Sequence, residues 1–156
     1  MLIEEKIVGL LLEKNYTITT VESCTGGLLI GTILNVSGAS GCVNEGYITY
    51  SNEAKERIVG VQHETLEEFG AVSEQTAREM AIGGANVANS NVVLSVTGVA
   101  GPGGASAKKP VGLTYIGCCI NGKVVVKQFN FSGKREQNRR HSVREALKLA
   151  ISMLEE

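Results

Sequence analysis

The sequence predicts an α/β protein: a mixed sheet with helices on both of its faces. Three observations carry this. β-Branched apolar runs alternate along the chain with segments whose apolar residues recur at helical spacing. Two late runs are joined by Asn121-Gly122, the strongest short hairpin signal, so at least one strand pair is antiparallel. The 156 residues, 43% hydrophobic, suffice for the core of one domain over residues 1–156, with no linker, repeat or low-complexity tract to divide it.

Each element follows from local pattern. Leu2 to Glu13 places Ile3, Ile7, Leu10 and Leu11 on one helical face. The run TITTVES reads as a strand, and LLIGTILNVSG, after Gly26-Gly27, as an apolar helix ending near Gly38. The stretch GYITYSNEAKERIVGV starts as a strand and turns helical after Ser51, a good cap, with Glu53 in the first turn. A short helix, HETLEEFG, stops at Gly70; a longer one, SEQTAREMAIGGANVAN, is capped by Ser73. NVVLSVTG reads as a buried strand, Gly98 to Pro110 as a long glycine-rich loop, and VGLTYIGCCI with KVVVKQFNF as the hairpin. Val143, Ala146, Leu147, Ala150, Ile151 and Leu154 mark a final helix.

Composition narrows the function classes. A formal net charge of -1 argues against long-range attraction to nucleic acid or anionic membrane, and the absence of Trp argues against base-stacking platforms. No apolar run approaches a membrane span, and Glu4, Glu5 and Lys6 interrupt any signal-peptide pattern, so a cytoplasmic protein is expected. The cysteines, Cys24, Cys42, Cys118 and Cys119, form no C-x-x-C pair, and with two histidines a zinc site is not expected. Cys42, Cys118 and Cys119 read as small buried apolar residues. The 19 glycines cluster near candidate loops, which suits close backbone approach to a ligand.

Three strand-end junctions hold the candidate chemistry. At Ser23-Cys24-Thr25-Gly26-Gly27, a serine lies where free N–H groups of a helix start favour negative charge; a plain cap by Ser23 or Thr25 stands beside that reading. Around Tyr50 and Lys55, a buried lysine would serve as general base and a tyrosine as proton relay, or Lys55 is simply a solvated helix residue. From Ser95 through Thr97 and Gly98 to Gly104, a strand runs into a loop suited to an anion, or to the open surface. Neither a G-x-x-x-x-G-K-[ST] motif nor G-x-G-x-x-G spacing is present. Lys108, Lys109, Arg135, Arg139 and Arg140 supply positive charge nearby. Neither His63 nor His141 has a clear carboxylate orienter, so a Ser-His-Asp triad is not supported.

The motifs ESCTGG, GYITYSNEAK, ETLEEFGAVSEQTAREMA, SVTGVAGPGG, KPVG and FSGKREQNRR, in this order, resemble the C-terminal domain of the CinA (competence/damage-inducible protein A) family over roughly residues 3 to 154. That domain is also found as a stand-alone nicotinamide-nucleotide amidase, the form this chain resembles, without the molybdopterin-binding-like domain of full-length members. The resemblance implies a three-layer α/β/α sandwich and metal-free, cofactor-free hydrolysis of the carboxamide of nicotinamide mononucleotide, a step of pyridine nucleotide salvage. It implies Ser23 as nucleophile, with Tyr50, Lys55 and Thr97 around the same pocket. The phosphate is then expected at Gly98, Gly101 and Gly103, aided by Lys109, Arg135 or Arg139. Backbone donors of Thr25, Gly26 and Gly27 are expected at the oxyanion, and Cys24 is the rival nucleophile. With the apolar content, the family implies a homo-oligomer. Lys134 departs from the family, replacing the acid of a Gly-Asp-Arg sequence. The alternative to an amidase is a non-catalytic nucleotide-binding or interaction module.

Overall fold

The computed structural model describes all of residues 1–156. Five strands form one sheet in the order β2-β1-β3-β4-β5. They are β1 (Ile18–Glu22), β2 (Tyr47–Ile48), β3 (Val92–Gly98), β4 (Leu113–Ile120) and β5 (Lys123–Asn130). Strand β1 runs parallel to both β2 and β3, whereas β3, β4 and β5 are successively antiparallel. The sheet is therefore mixed, with the Asn121-Gly122 turn joining its last two strands.

Six α-helices cover it: α1 (Ile3–Lys14), α2 (Leu28–Leu34), α3 (Asn52–Val59), α4 (His63–Phe69), α5 (Glu74–Ala88) and α6 (Arg135–Leu154). Helices α1, α2 and α6 pack together on one face, while α5 lies on the other with α3 and α4 against it. This is the expected three-layer sandwich. Because side chains alternate across a strand, β3 divides its residues between two cores. Val92, Leu94 and Val96 join Ile7, Leu11, Leu147 and Ala150 in the larger core, and Val93 joins Val21, Val59 and Met80 in the smaller.

Small residues set how closely α5 approaches the sheet. A Cβ on Gly84 would come within 2.5 Å of Val21 Cγ2, and one on Gly83 within 1.9 Å of the Val59 carbonyl oxygen. Helix caps follow the sequence signals: Ser51 and Ser73 accept from Ala54 and Thr76 N–H groups. Two boundaries differ from expectation. Helix α2 ends at Leu34 rather than near Gly38, and the segment beyond closes into a short 3₁₀ turn, Ala39–Gly41. Gly38, at a φ of 93°, marks the entry to that turn. No helix is long and apolar enough to cross a membrane.

Candidate active site

The site forms where β1 and β3 end side by side. Glu22 pairs with Val96, so Ser23 and Thr97 fall next to each other just beyond, and the Ser23 N–H bonds the Val96 carbonyl. Strand parity decides what faces the site. Val21 points to the α5 side; Glu22 and Cys24 point to the α2 side; Ser23 falls with Val21.

Glu22 organises the turn. Its buried carboxylate accepts from Thr20 Oγ1 at 3.0 Å, Thr25 Oγ1 at 2.7 Å and the backbone N–H groups of Gly27, Leu29 and Ile30 at 3.1, 2.9 and 3.0 Å. A negative charge on the first turn of α2 is favourable, and here it takes up that helix's free donors. The Gly26 N–H goes to the Ser23 carbonyl. The Thr25 hydroxyl and the Gly26 and Gly27 N–H groups are therefore occupied in holding the turn, and none of the three residues lines the cleft, which corrects their assignment to substrate; the Thr25 N–H makes no hydrogen bond within the chain. Gly26 and Gly27 have φ of 54° and 101°, the left-handed geometry this turn demands. The Cys24 N–H keeps no partner within the chain, and it belongs to the residue directly after the serine.

Lys55 comes from α3. It is fully buried, and its Nζ lies 2.9 Å from Ser23 Oγ, 2.8 Å from the Thr49 carbonyl and 3.2 Å from the Tyr50 carbonyl. Burial pushes its pKa down to about 8, and no carboxylate faces it to reverse the effect. A neutral amine donates its two protons to the two carbonyls and turns its lone pair to the serine. Cys24 is different. Its side chain lies in the larger core, and burial pushes its thiol up to about 11, so the thiolate is disfavoured.

Tyr50 is 62% exposed, and its hydroxyl lies 3.4 Å from Arg135 Nη2. The backbone carbonyl of Tyr50, not its phenol, meets Lys55, so Tyr50 stands at the rim of the cleft rather than beside the lysine as a proton relay. The Thr97 hydroxyl donates to the Ala71 carbonyl at 2.7 Å, fixing the α4–α5 turn as one wall rather than bonding Ser23.

These residues border a cleft of about 460 Å³, within the range of small-molecule sites, whose far wall is the loop from Gly98 to Gly104. Along that wall the N–H groups of Ala100, Gly101, Gly103 and Gly104 make no hydrogen bond within the chain. Arg135 lines the same end and donates from Nη1 to the Gly101 carbonyl at 2.9 Å. Two expected cations are elsewhere. Lys109 Nζ donates to the Phe69 carbonyl at the end of α4. Arg139 clamps the Cys24 and Thr25 carbonyls, both at 2.9 Å, and supports the serine turn from outside. No three His, Cys, Asp or Glu side chains converge as a metal ion would need.

Sequence reasoning passed over Glu22 and Asn138. Glu22 shows its signal as an acid at the end of an apolar strand, just before a helix start. Asn138 continues the buried face of α6 through Ser142 to Ala146 and Ala150, at intervals of four residues.

A serine at the end of β1 and a buried lysine from α3, facing a glycine-rich wall, define an α/β/α protein with the layout of a nucleophile and its base. The chain belongs to the CinA family: the model of the CinA C-terminal domain matches residues 2–154. A competence-damage inducible protein of Clostridium acetobutylicum is 52% identical over 141 residues, 90% of this chain and 34% of that protein. One from Clostridium perfringens is 51% identical over 92% of this chain and 35% of its own length. The chain thus spans about a third of these relatives. Among solved structures, the competence/damage inducible protein CihA from Agrobacterium tumefaciens superposes with a TM-score of 0.96 at 40% identity, covering 99% of this chain and 94% of that one. The competence damage-inducible protein A from Klebsiella pneumoniae gives 0.95 at 30% identity, covering 97% and 94%.

Proposed function

We propose that the cleft is the active site of an amidase that hydrolyses the carboxamide of nicotinamide mononucleotide. The observation that carries this reading is the 2.9 Å contact between Ser23 Oγ and a lysine whose pKa burial brings down to about 8. A Lys–Ser pair of this kind activates a hydroxyl near neutral pH without histidine.

In this reading, neutral Lys55 takes the Ser23 proton as Oγ bonds to the amide carbon. The carbonyl π-pair moves to oxygen, where the Cys24 N–H is placed to receive it; one good oxyanion donor contributes about 2.7–4 kcal/mol. Protonated Lys55 then gives its proton to the amide nitrogen, the C–N bond breaks, and ammonia leaves. Water, deprotonated by the same amine, attacks the acyl-serine ester and releases nicotinate mononucleotide with Ser23 restored. The free N–H groups from Ala100 to Gly104 and the Arg135 guanidinium suit the phosphate.

Product analysis tests the reading. Pure protein incubated with nicotinamide mononucleotide is expected to release ammonia and nicotinate mononucleotide in equal amounts, and Ser23→Ala to release neither. Calorimetric binding without turnover would instead favour a nucleotide-binding module.

A further inference from the structure

Asn138 does not itself line the cleft, yet it bonds to the loop that forms the glycine-rich wall. It lies in the first turns of α6 and is buried. Its Nδ2 donates to the Ala100 carbonyl at 3.0 Å and the Gly133 carbonyl at 2.9 Å, while its Oδ1 accepts the Gly133 N–H at 2.9 Å. All three bonds come from one amide, so α6, the turn before it and the glycine-rich loop are tied together at this residue, and Arg135 ties α6 to the loop a second time.

The geometry of a peptide plane gives this pin its consequence. In a trans peptide the carbonyl of one residue and the N–H of the next point in opposite directions. The Ala100–Gly101 peptide is trans. Its carbonyl is held toward Asn138, so the Gly101 N–H is turned away from Asn138, and Gly101 is among the residues that line the cleft. That N–H has no partner in the chain. Gly101 has a φ of 89°, a conformation glycine adopts without strain, so the residue itself does little to prevent the plane from rotating.

We infer that Asn138 is a positioning residue for the anionic end of the substrate, fixing the Ala100–Gly101 peptide so that the Gly101 N–H meets the phosphate. This rests on the amidase reading for the identity of the ligand and extends it to a residue outside the cleft. Arg135 holds the next carbonyl, that of Gly101, and the Pro102 nitrogen carries no hydrogen, so Gly101 contributes the donor at this point of the wall.

The test compares two ligands that differ only in the phosphate: nicotinamide mononucleotide and nicotinamide riboside. For each enzyme the ratio of their kcat/KM values is measured, a ratio independent of how much protein is folded. Asn138→Ala is expected to lower the preference for the mononucleotide about tenfold, the loss for one charge-assisted hydrogen bond, through KM with kcat little changed. Asn138→Asp keeps the acceptor for the Gly133 N–H but cannot donate to Ala100, and is expected to do the same. A residue that merely stabilised the fold would lower turnover of both ligands alike, and an unchanged ratio in the variants overturns the inference. If the wild type binds the mononucleotide without hydrolysing it, the amidase reading fails, and the same ratio taken from calorimetric dissociation constants decides the role of Asn138. Binding of neither ligand by the wild type rejects both.

Discussion

Lys55 meets Ser23 as an amine whose other contacts are two fixed carbonyls, so its protonation state determines whether it can accept a proton. Burial disfavours the ammonium and lowers the pKa from 10.5 to about 8. The active form is the neutral amine, which accumulates as pH rises through that value. We therefore expect kcat/KM for the mononucleotide to climb with pH on an apparent pKa near 8 and then level off; a profile flat from pH 6 to 10 would exclude Lys55 as base. Lys55→Met should lower kcat by about 10²–10⁴-fold, the usual contribution of a general base. Ser23→Ala should abolish turnover, while Cys24→Ala should retain most of it, because the thiol sits in the larger core with its pKa at about 11. Part of this was legible in the chain. The Ser23 and Lys55 motifs are local, and strand parity alone puts Ser23 on one face and its neighbours on the other. The fates of Lys109 and Arg139 were not, because both depend on which carbonyl a distant segment brings within reach. For Tyr50, the sequence does not reveal that the carbonyl rather than the phenol meets the lysine.

Helix α2 owes its placement to Glu22, which caps it from the preceding strand. Replacing this carboxylate by Gln puts an amide donor against N–H groups that already donate. The expected result is a loss of about 2–3 kcal/mol in urea unfolding, the scale of hydrogen bonds to a charged group, and a fall in activity because the serine turn loses its support. Helix α5 poses the opposite test. An alanine in a helix is ordinarily favoured over glycine by about 1 kcal/mol. At Gly83 that gain meets a backbone oxygen of Val59 that would lie 1.9 Å from the new Cβ. Gly83→Ala should thus destabilise the protein by more than the propensity gain, visible as a lower urea midpoint; an unchanged or raised midpoint would show that α3 can move away. Element type was readable wherever periodicity and a cap agreed, as at Ser51 and Ser73. The early end of α2 and the 3₁₀ turn after it were not, since nothing before Gly38 marks a stop while the backbone already turns at Asn35. Nor does local pattern say that β1 lies between β2 and β3, because strand order rests on pairings between segments distant in sequence.

The cleft borrows from both layers of the molecule. Ser23 follows β1, Lys55 lies in α3, Ala71 and Val72 join α4 to α5, the glycine wall follows β3, and Arg135 opens α6. Helix α6 packs on one face of the sheet and α3 to α5 on the other, so a ligand in the cleft touches elements of both cores. A ligand that binds only the native state stabilises it by mass action, by about 2.7 kcal/mol at a hundred times its dissociation constant. For a chain of this size that corresponds to a rise in Tm of roughly 5–10 °C. The measurement is best made with Ser23→Ala, which leaves the mononucleotide intact during heating. Because the ligand bridges the layers, the whole unfolding transition should shift as one, followed equally by near-UV and far-UV circular dichroism. Splitting into two transitions, with only one displaced by the mononucleotide, would mean that the ligand rests on one layer alone and that the glycine wall and the lysine do not act on the same molecule.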